Sequence, residues 1–209
     1  MKDFALVVIG AHFGVWLEDK INEYENDNIL LVEPVPYNNK ILKKKFSKKS
    51  NIFICENAIF SENKIKKFFF VKEESIHKLG KHWASGIGSF DKQHILNHRN
   101  KRFLISEDDI REIDIEFIDF NKLVQKYQIK SIKNLQIDVE SAEFEILNTI
   151  DFTKIDIKRL QFESKHFDGT FFEGSKLKII KEKLTKNGFE TTQIDKENIL
   201  AIKRLQKGC

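Results

Sequence analysis

The sequence predicts an α/β fold: an open, mostly parallel sheet with helices on both faces and a C-terminal antiparallel hairpin strand. Three observations predict it. Apolar runs of strand length alternate with amphipathic stretches through most of the 209 residues. The first run, "LVVIG", stops at a glycine, and a helical pattern follows. The last two apolar runs flank a short polar turn. Strands alternating with helical patterns give a parallel sheet covered on both faces, and the closing pair adds an antiparallel edge strand.

In order, "FALVVIG" (4–10) reads as a buried strand and "GVWLEDKINEYE" (14–25) as an amphipathic helix. "NILLVE" (28–33) is the second strand. After Pro34 and Pro36, "YNNKILKKKFSKK" (37–49) is a helix expected to turn Ile41, Leu42 and Phe46 inward. "NIFICENAIF" (51–60) and "KIKKFFFV" (64–71) are further strands. Residues 72–112 break the rhythm with Gly80, Gly86, Gly88, four histidines and Trp83, and read as a loop and helix insertion. Alternation resumes with a strand at 113–120, a helix at 121–127 and the strand "NLQIDVE" (134–140). A helix at 142–150, a strand at 157–164, a helix across 174–187 and the strands 189–194 and 199–205 complete one domain, 1–209.

The bulk properties exclude several classes. The net charge of +4 is a small excess of 36 basic over 32 acidic residues, which predicts no nucleic-acid partner. Two cysteines, Cys55 and Cys209, cannot build a disulfide framework. No run approaches the about 18 apolar residues of a membrane span. The N-terminus lacks the basic region and cleavage site of a signal peptide, so a cytoplasmic location is expected. Nothing in the sequence reads out an oligomeric state.

In such a sheet, ligands bind beyond the carboxyl ends of the strands, where strand order reverses. Gly10 ends the first strand and is expected to let the backbone approach a ligand; Gly14 is expected to let the next helix pack on the sheet. His12 fits between them because His is enriched in left-handed conformations. The spacing "GAHFG" is not the G-x-G-x-x-G of dinucleotide folds, which disfavours an NAD-dependent oxidoreductase. Glu33 ends the second strand, where a carboxylate accepts from both hydroxyls of a ribose. A nucleoside without a pyrophosphate anchor points to S-adenosylmethionine.

"VVIGAHFG", "LVEPVP", "ENAIF", "ASGIGSF", "FIDFNKL", "LQIDVESAEFEIL" and "LQFESKH" stand in the order of segments shared by one family. In these the chain resembles the FkbM family of S-adenosylmethionine-dependent methyltransferases, over roughly residues 4 to 166. The resemblance implies a class I methyltransferase fold, the cofactor S-adenosyl-L-methionine, and O-methylation of a hydroxyl on a small molecule or sugar. It also implies that Gly10, Ala11, His12 and Gly14 line the cofactor's methionine end and that Glu33 holds the ribose. Asn57 and Ala58 would flank the adenine, and Ser89 would close the pocket. The chain departs from the family at Val8, His12 and Ser141, where the family has aspartate, asparagine and glycine. Val8 cannot help orient the cofactor, so a non-catalytic binding module is the alternative; Ser141 can still cap the next helix.

Methyl transfer to a hydroxyl needs its acceptor held in line and its proton received. Asp138 is the first candidate for that role, with Glu140, Glu163 and His166 completing the catalytic set. Trp83, His94 and Glu143 are the substrate-binding candidates, the 72–112 insertion being the expected substrate cover. Asp138, Glu140, Glu163 and His166 could also ligate Mg²⁺, but at no fixed ligand spacing, so no metal site is assigned.

Overall fold

The computed structural model describes residues 1–80, 82–99, 104–139, 142–168 and 174–204, with only the backbone of Val15, His82 and Trp83. Its main sheet has seven strands. They are β1 (Lys2–Ile9), β2 (Asn28–Val32), β3 (Ile52–Cys55), β8 (Ile129–Ile137), β9 (Asp156–Glu163), β10 (Phe189–Gln193) and β11 (Asn198–Lys203). The order is β10-β11-β9-β8-β1-β2-β3. All neighbours from β3 to β9 run parallel, and β11 is antiparallel to both β9 and β10. The antiparallel strand is therefore interior, not at the edge as expected. β10 takes the edge because the hairpin folds β11 back onto β9.

β1 and β2 are buried on both faces, which is why they read as continuous apolar runs rather than alternations. Phe4, Val7 and Ile9 join one core with Phe120 and Leu123 of α5 (Phe120–Tyr127), Ile146 and Leu147 of α6 (Glu143–Thr149), and Leu177, Ile180 and Leu184 of α7 (Ser175–Lys186). Leu6 and Val8 face the opposite core, with Ile21 of α1 (Glu18–Glu23), Leu42 of α2 (Pro36–Lys45), and Phe46 just after α2. The expected inward face of α2 holds for Leu42 and Phe46, but Ile41 is 42% exposed. Neighbouring helix positions point about 100° apart, so with Leu42 facing the core Ile41 turns to solvent. Asp119 caps α5 by accepting from Lys122 N at 2.7 Å, and Asp168 caps α7 through the amides of Gly174, Lys176 and Leu177.

The stretch 51–60 is not one strand. It breaks at Glu56–Asn57, and β4 (Ala58–Ile59) leaves the main sheet for a second one. That sheet has the order β4-β7-β5-β6, with β5 (Lys64–Val71), β6 (Gly88–Ser89) and β7 (Ile110–Ile118). β5 pairs antiparallel with β7 over its whole length. Phe68, Phe70 and Phe117 of this sheet pack with Val35 and Ala58, which sets it over the tips of β2 and β3.

The segment between β5 and β7 has a core of its own, including Leu79 of α3 (Glu73–Leu79), Ala84, Ile87, Ile95 of α4 (Lys92–Leu96), and Ile105. Buried Asp109 ties it together, accepting from Ser75 Oγ at 2.9 Å, Lys78 Nζ at 2.8 Å, and Ser106 N and Oγ at 2.9 and 2.7 Å. Among the described residues no helix is long and apolar enough to cross a membrane. Cys55 is a free, buried thiol.

Candidate active site

The chain builds outward from β1 to β3, then returns to add β8 on the other side of β1. Above this reversal lies a cleft of about 650 Å³, solvent at its mouth included. Its walls come from the β1 tip (Ile9, Gly10, His12), the β2 tip (Glu33, Val35), the second sheet (Phe60, Phe68, Phe117), the segment Gly86–Phe90, and Asp138 with Val139 after β8.

The first loop explains its glycines. A side chain at Gly10 would put a Cβ 1.7 Å from the Asp138 carbonyl oxygen, at a φ of +90°. Gly10 lines the cleft, yet the close approach that demands glycine is to the neighbouring backbone rather than to a ligand. Gly14, at φ +76°, faces Leu42 at 3.0 Å, so it admits α2 rather than the sheet. His12 has a φ of 52°, in the left-handed region expected for it. Its ring reaches Ser85 Oγ at 2.5 Å and lies under Gly86. This links the first loop to the covering segment. Ala11 is buried, and neither it nor Gly14 lines the cleft.

Glu33 is 4% exposed and forms the hub of the β2 tip. Its Oε1 accepts from Val35 N at 2.9 Å and Asn38 Nδ2 at 3.4 Å, and its Oε2 accepts from His12 N at 2.8 Å. Burial pushes its pKa up to about 7, against the pull of these three donors. A carboxylate offers about four acceptor positions. Three N–H groups leave room for one incoming hydroxyl, and the long Asn38 bond is the one that can yield to a second.

Asn57 does not face the cleft as expected. Its Nδ2 donates to Glu116 O and Oε2, both at 3.0 Å, and its Oδ1 accepts from Lys126 Nζ at 2.7 Å. It joins β4, β7 and α5 instead, leaving Ala58 and the phenylalanines as the walls. Ser89 is buried in the cleft wall, its Oγ accepting from Asp91 N at 3.1 Å.

At the other end of the cleft three carboxyls converge. Asp138, Glu143 and Glu163 each bring an oxygen within 4.8 Å of the others. Asp138 is exposed and lines the cleft, while Glu143 and Glu163 are buried. Glu143 accepts from Val139 N at 2.8 Å, and burial, with Glu163 and Asp138 nearby, raises its pKa to about 8. Glu163 takes the ammonium of buried Lys165, which also reaches Glu197 at 3.3 Å. A proton and an ammonium thus already offset two of the three charges. Glu143, expected to touch substrate, instead holds the loop after β8 from below.

His94 on α4 lies edge-on to His98 at 5.7 Å and to His166 at 6.0 Å between ring centroids, so the insertion meets the end of β9. Neither His94 nor His166 lines the cleft itself. Glu140 and Ser141 lie outside the described residues, as does the Trp83 side chain. The walls Phe60, Phe68, Phe90 and Phe117, the partner Ser85 and the counter-charge Lys165 escaped the sequence reading. "KFFFV" carried a signal, since alternate residues of one strand share a face.

The fold has counterparts among known proteins. Fibrillarin from Methanococcus jannaschii, a pre-rRNA processing protein, is similar with a TM-score of 0.50 at 13% identity, covering 96% of this chain and 66% of its own. A precorrin-6y C5,15-methyltransferase from Geobacter metallireducens gives 0.45 at 11% identity, covering 97% and 82%. A ribosomal protein L11 methylase from Lactobacillus delbrueckii gives 0.45 at 11%, covering 99% and 72%. No curated protein sequence matches the chain. The family model described as the methyltransferase FkbM domain matches residues 9–191, from the β1 tip to the C-terminal hairpin. The chain belongs to the FkbM methyltransferase domain family.

Proposed function

We propose that the protein is an S-adenosylmethionine-dependent O-methyltransferase acting on a hydroxyl of a small molecule or sugar. The observation that carries this reading is one cleft with a buried carboxylate, Glu33, at its β2 wall and an exposed one, Asp138, after β8. The residues present fit the cofactor. Glu33 has acceptor capacity for a ribose hydroxyl, Ala58, Phe60 and Phe90 offer apolar surface to a base, and Gly10 with His12 bounds the methionine end.

When bound, the cofactor supplies an electrophilic methyl group. The chain's own task is to hold the acceptor oxygen in line and to exclude water. Asp138 orients the acceptor hydroxyl and receives its proton. Glu163 brings a carboxylate oxygen within 4.8 Å of it, and the 72–112 segment covers the cleft through Gly86–Phe90, with His94 edge-on to His166. The carboxyl trio offers oxygen ligands that Mg²⁺ accepts, but Lys165 already supplies positive charge beside Glu163. The reading therefore assigns no step to a metal.

A binding module without turnover is the competing reading, favoured by Val8, which is buried under α1 where the resemblance has an aspartate. Calorimetry with S-adenosylmethionine and S-adenosylhomocysteine separates enzyme from bystander at the first step, since absence of binding to both sinks the enzyme. Asp138→Asn is the second step. It is expected to bind cofactor like the wild type and to lose about 100-fold or more in turnover.

A further inference from the structure

A second concavity lies on the main sheet beneath α1, away from the strand tips. α1 and the turn before it cover β1 and β2 through Leu17, Ile21 and Tyr24. Beside them the sheet face is polar. Asn134 and Gln136 of β8 stand in register with Arg159 and Gln161 of β9, while the intervening Leu135 and Leu160 belong to the core on the other face. Lys20, Glu23 and Tyr24 form the wall of this pocket, whose volume is about 620 Å³ with its opening.

Surface cations such as Lys122 and Arg111 pair with an acid, Lys122 with Glu116 at 2.6 Å and Arg111 with Glu74 at 3.1 Å. Lys20 instead donates to the neutral Gln136 Oε1 at 2.7 Å. Burial, then the nearby Arg159, depresses its pKa, and Glu23 only partly compensates. Among the described residues Arg159 makes no hydrogen bond or ion pair. A third cation, Lys133, sits 4.9 Å over the Tyr24 ring, and the Tyr24 hydroxyl meets Asn134 Nδ2 at 2.9 Å. The partly buried Lys20 and the exposed Arg159 line the same pocket and repel, and an oxyanion between them relieves that repulsion. The three amides offer both donors and acceptors, which is what hydroxyl groups require.

We propose that this pocket binds a sugar carrying an oxyanion, phosphate or carboxylate, with the anion between Lys20 and Arg159 and the hydroxyls on Asn134, Gln136 and Gln161. Gln136 lies in the last residues of β8, two positions before Asp138, so an occupant braces the end of β8 from the face opposite α6. The site is independent of methyl transfer and is tested without cofactor.

The test is calorimetry on the full chain with glucose 6-phosphate, glucuronate, glucose and inorganic phosphate. Glucose 6-phosphate or glucuronate is expected to bind, and which of them binds identifies the oxyanion. Glucose is expected to give no heat. Arg159→Gln and Lys20→Gln should each weaken binding about tenfold, with melting temperatures confirming that both variants are folded. The proposal is overturned if neither sugar anion binds, if both variants bind as the wild type does, or if inorganic phosphate binds as tightly as glucose 6-phosphate.

Discussion

Glu143→Gln exposes the cost of the buried carboxyl cluster. Glu143 is 1% exposed, and burial raises its pKa from the ordinary 4.5 to about 8. Between those two values the folded protein keeps a proton that the unfolded chain has released. Stability therefore falls as pH rises through that window, and above about pH 8 the whole penalty is present. At ~1.4 kcal/mol per unit the gap amounts to about 5 kcal/mol, an upper figure because relaxation around the charge recovers part of it. Glutamine keeps the carbonyl that accepts from Val139 N and never ionises. Urea unfolding near pH 5 should find the two proteins within about 1 kcal/mol of each other. Near pH 9 the variant should be the more stable by several kcal/mol, raising its melting temperature by about 10 °C. A stability difference that stays the same at both pH values would refute the reasoning.

Glu33 has a pKa of about 7, so affinity for S-adenosylhomocysteine should fall about tenfold from pH 8 to pH 6 as the acceptor carboxylate protonates. Calorimetry of Glu33→Gln should show weaker binding and a flat pH profile. Gly10→Ala places a methyl group 1.7 Å from the Asp138 carbonyl, and should cost more than about 3 kcal/mol or abolish cooperative folding by circular dichroism. Burial opposes ionisation of Asp109, but the bonds from Lys78, Ser106 and Ser75 win and hold its carboxyl well below the usual range. Asp109→Asn should cost about 1–3 kcal/mol and speed hydrogen exchange across 73–109 while leaving the main sheet protected. The wild-type clamp contributes its stability above the ordinary 3.8 and loses it as pH falls below that value.

Local pattern decided the main sheet. "FALVVIG" and "NILLVE" are too apolar for a one-sided strand and too short for helices, so two-sided burial was legible in them. So were the left-handed His12 and the positions of Glu33 and Asp138 at strand ends, because a strand's end follows from where its apolar run stops. The second sheet was not legible. "KIKKFFFV" and "IEFIDF" look like any other strands, and only the pairing of residues about 50 apart assigns them to each other.

Side-chain direction was the other thing left to tertiary structure. Sequence put Asn57 beside the cleft, but Glu116 and Lys126, remote in the chain, turned it away. Sequence named Glu143 as a substrate contact, but it is buried on α6 beside Asp138 and Glu163, which come together only when β8 and β9 pair. An amino-acid run determines which face a strand buries, since that depends on its own alternation. It cannot determine which charges share a cavity, because electrostatic energy depends on distance in space and on the solvent excluded between the groups.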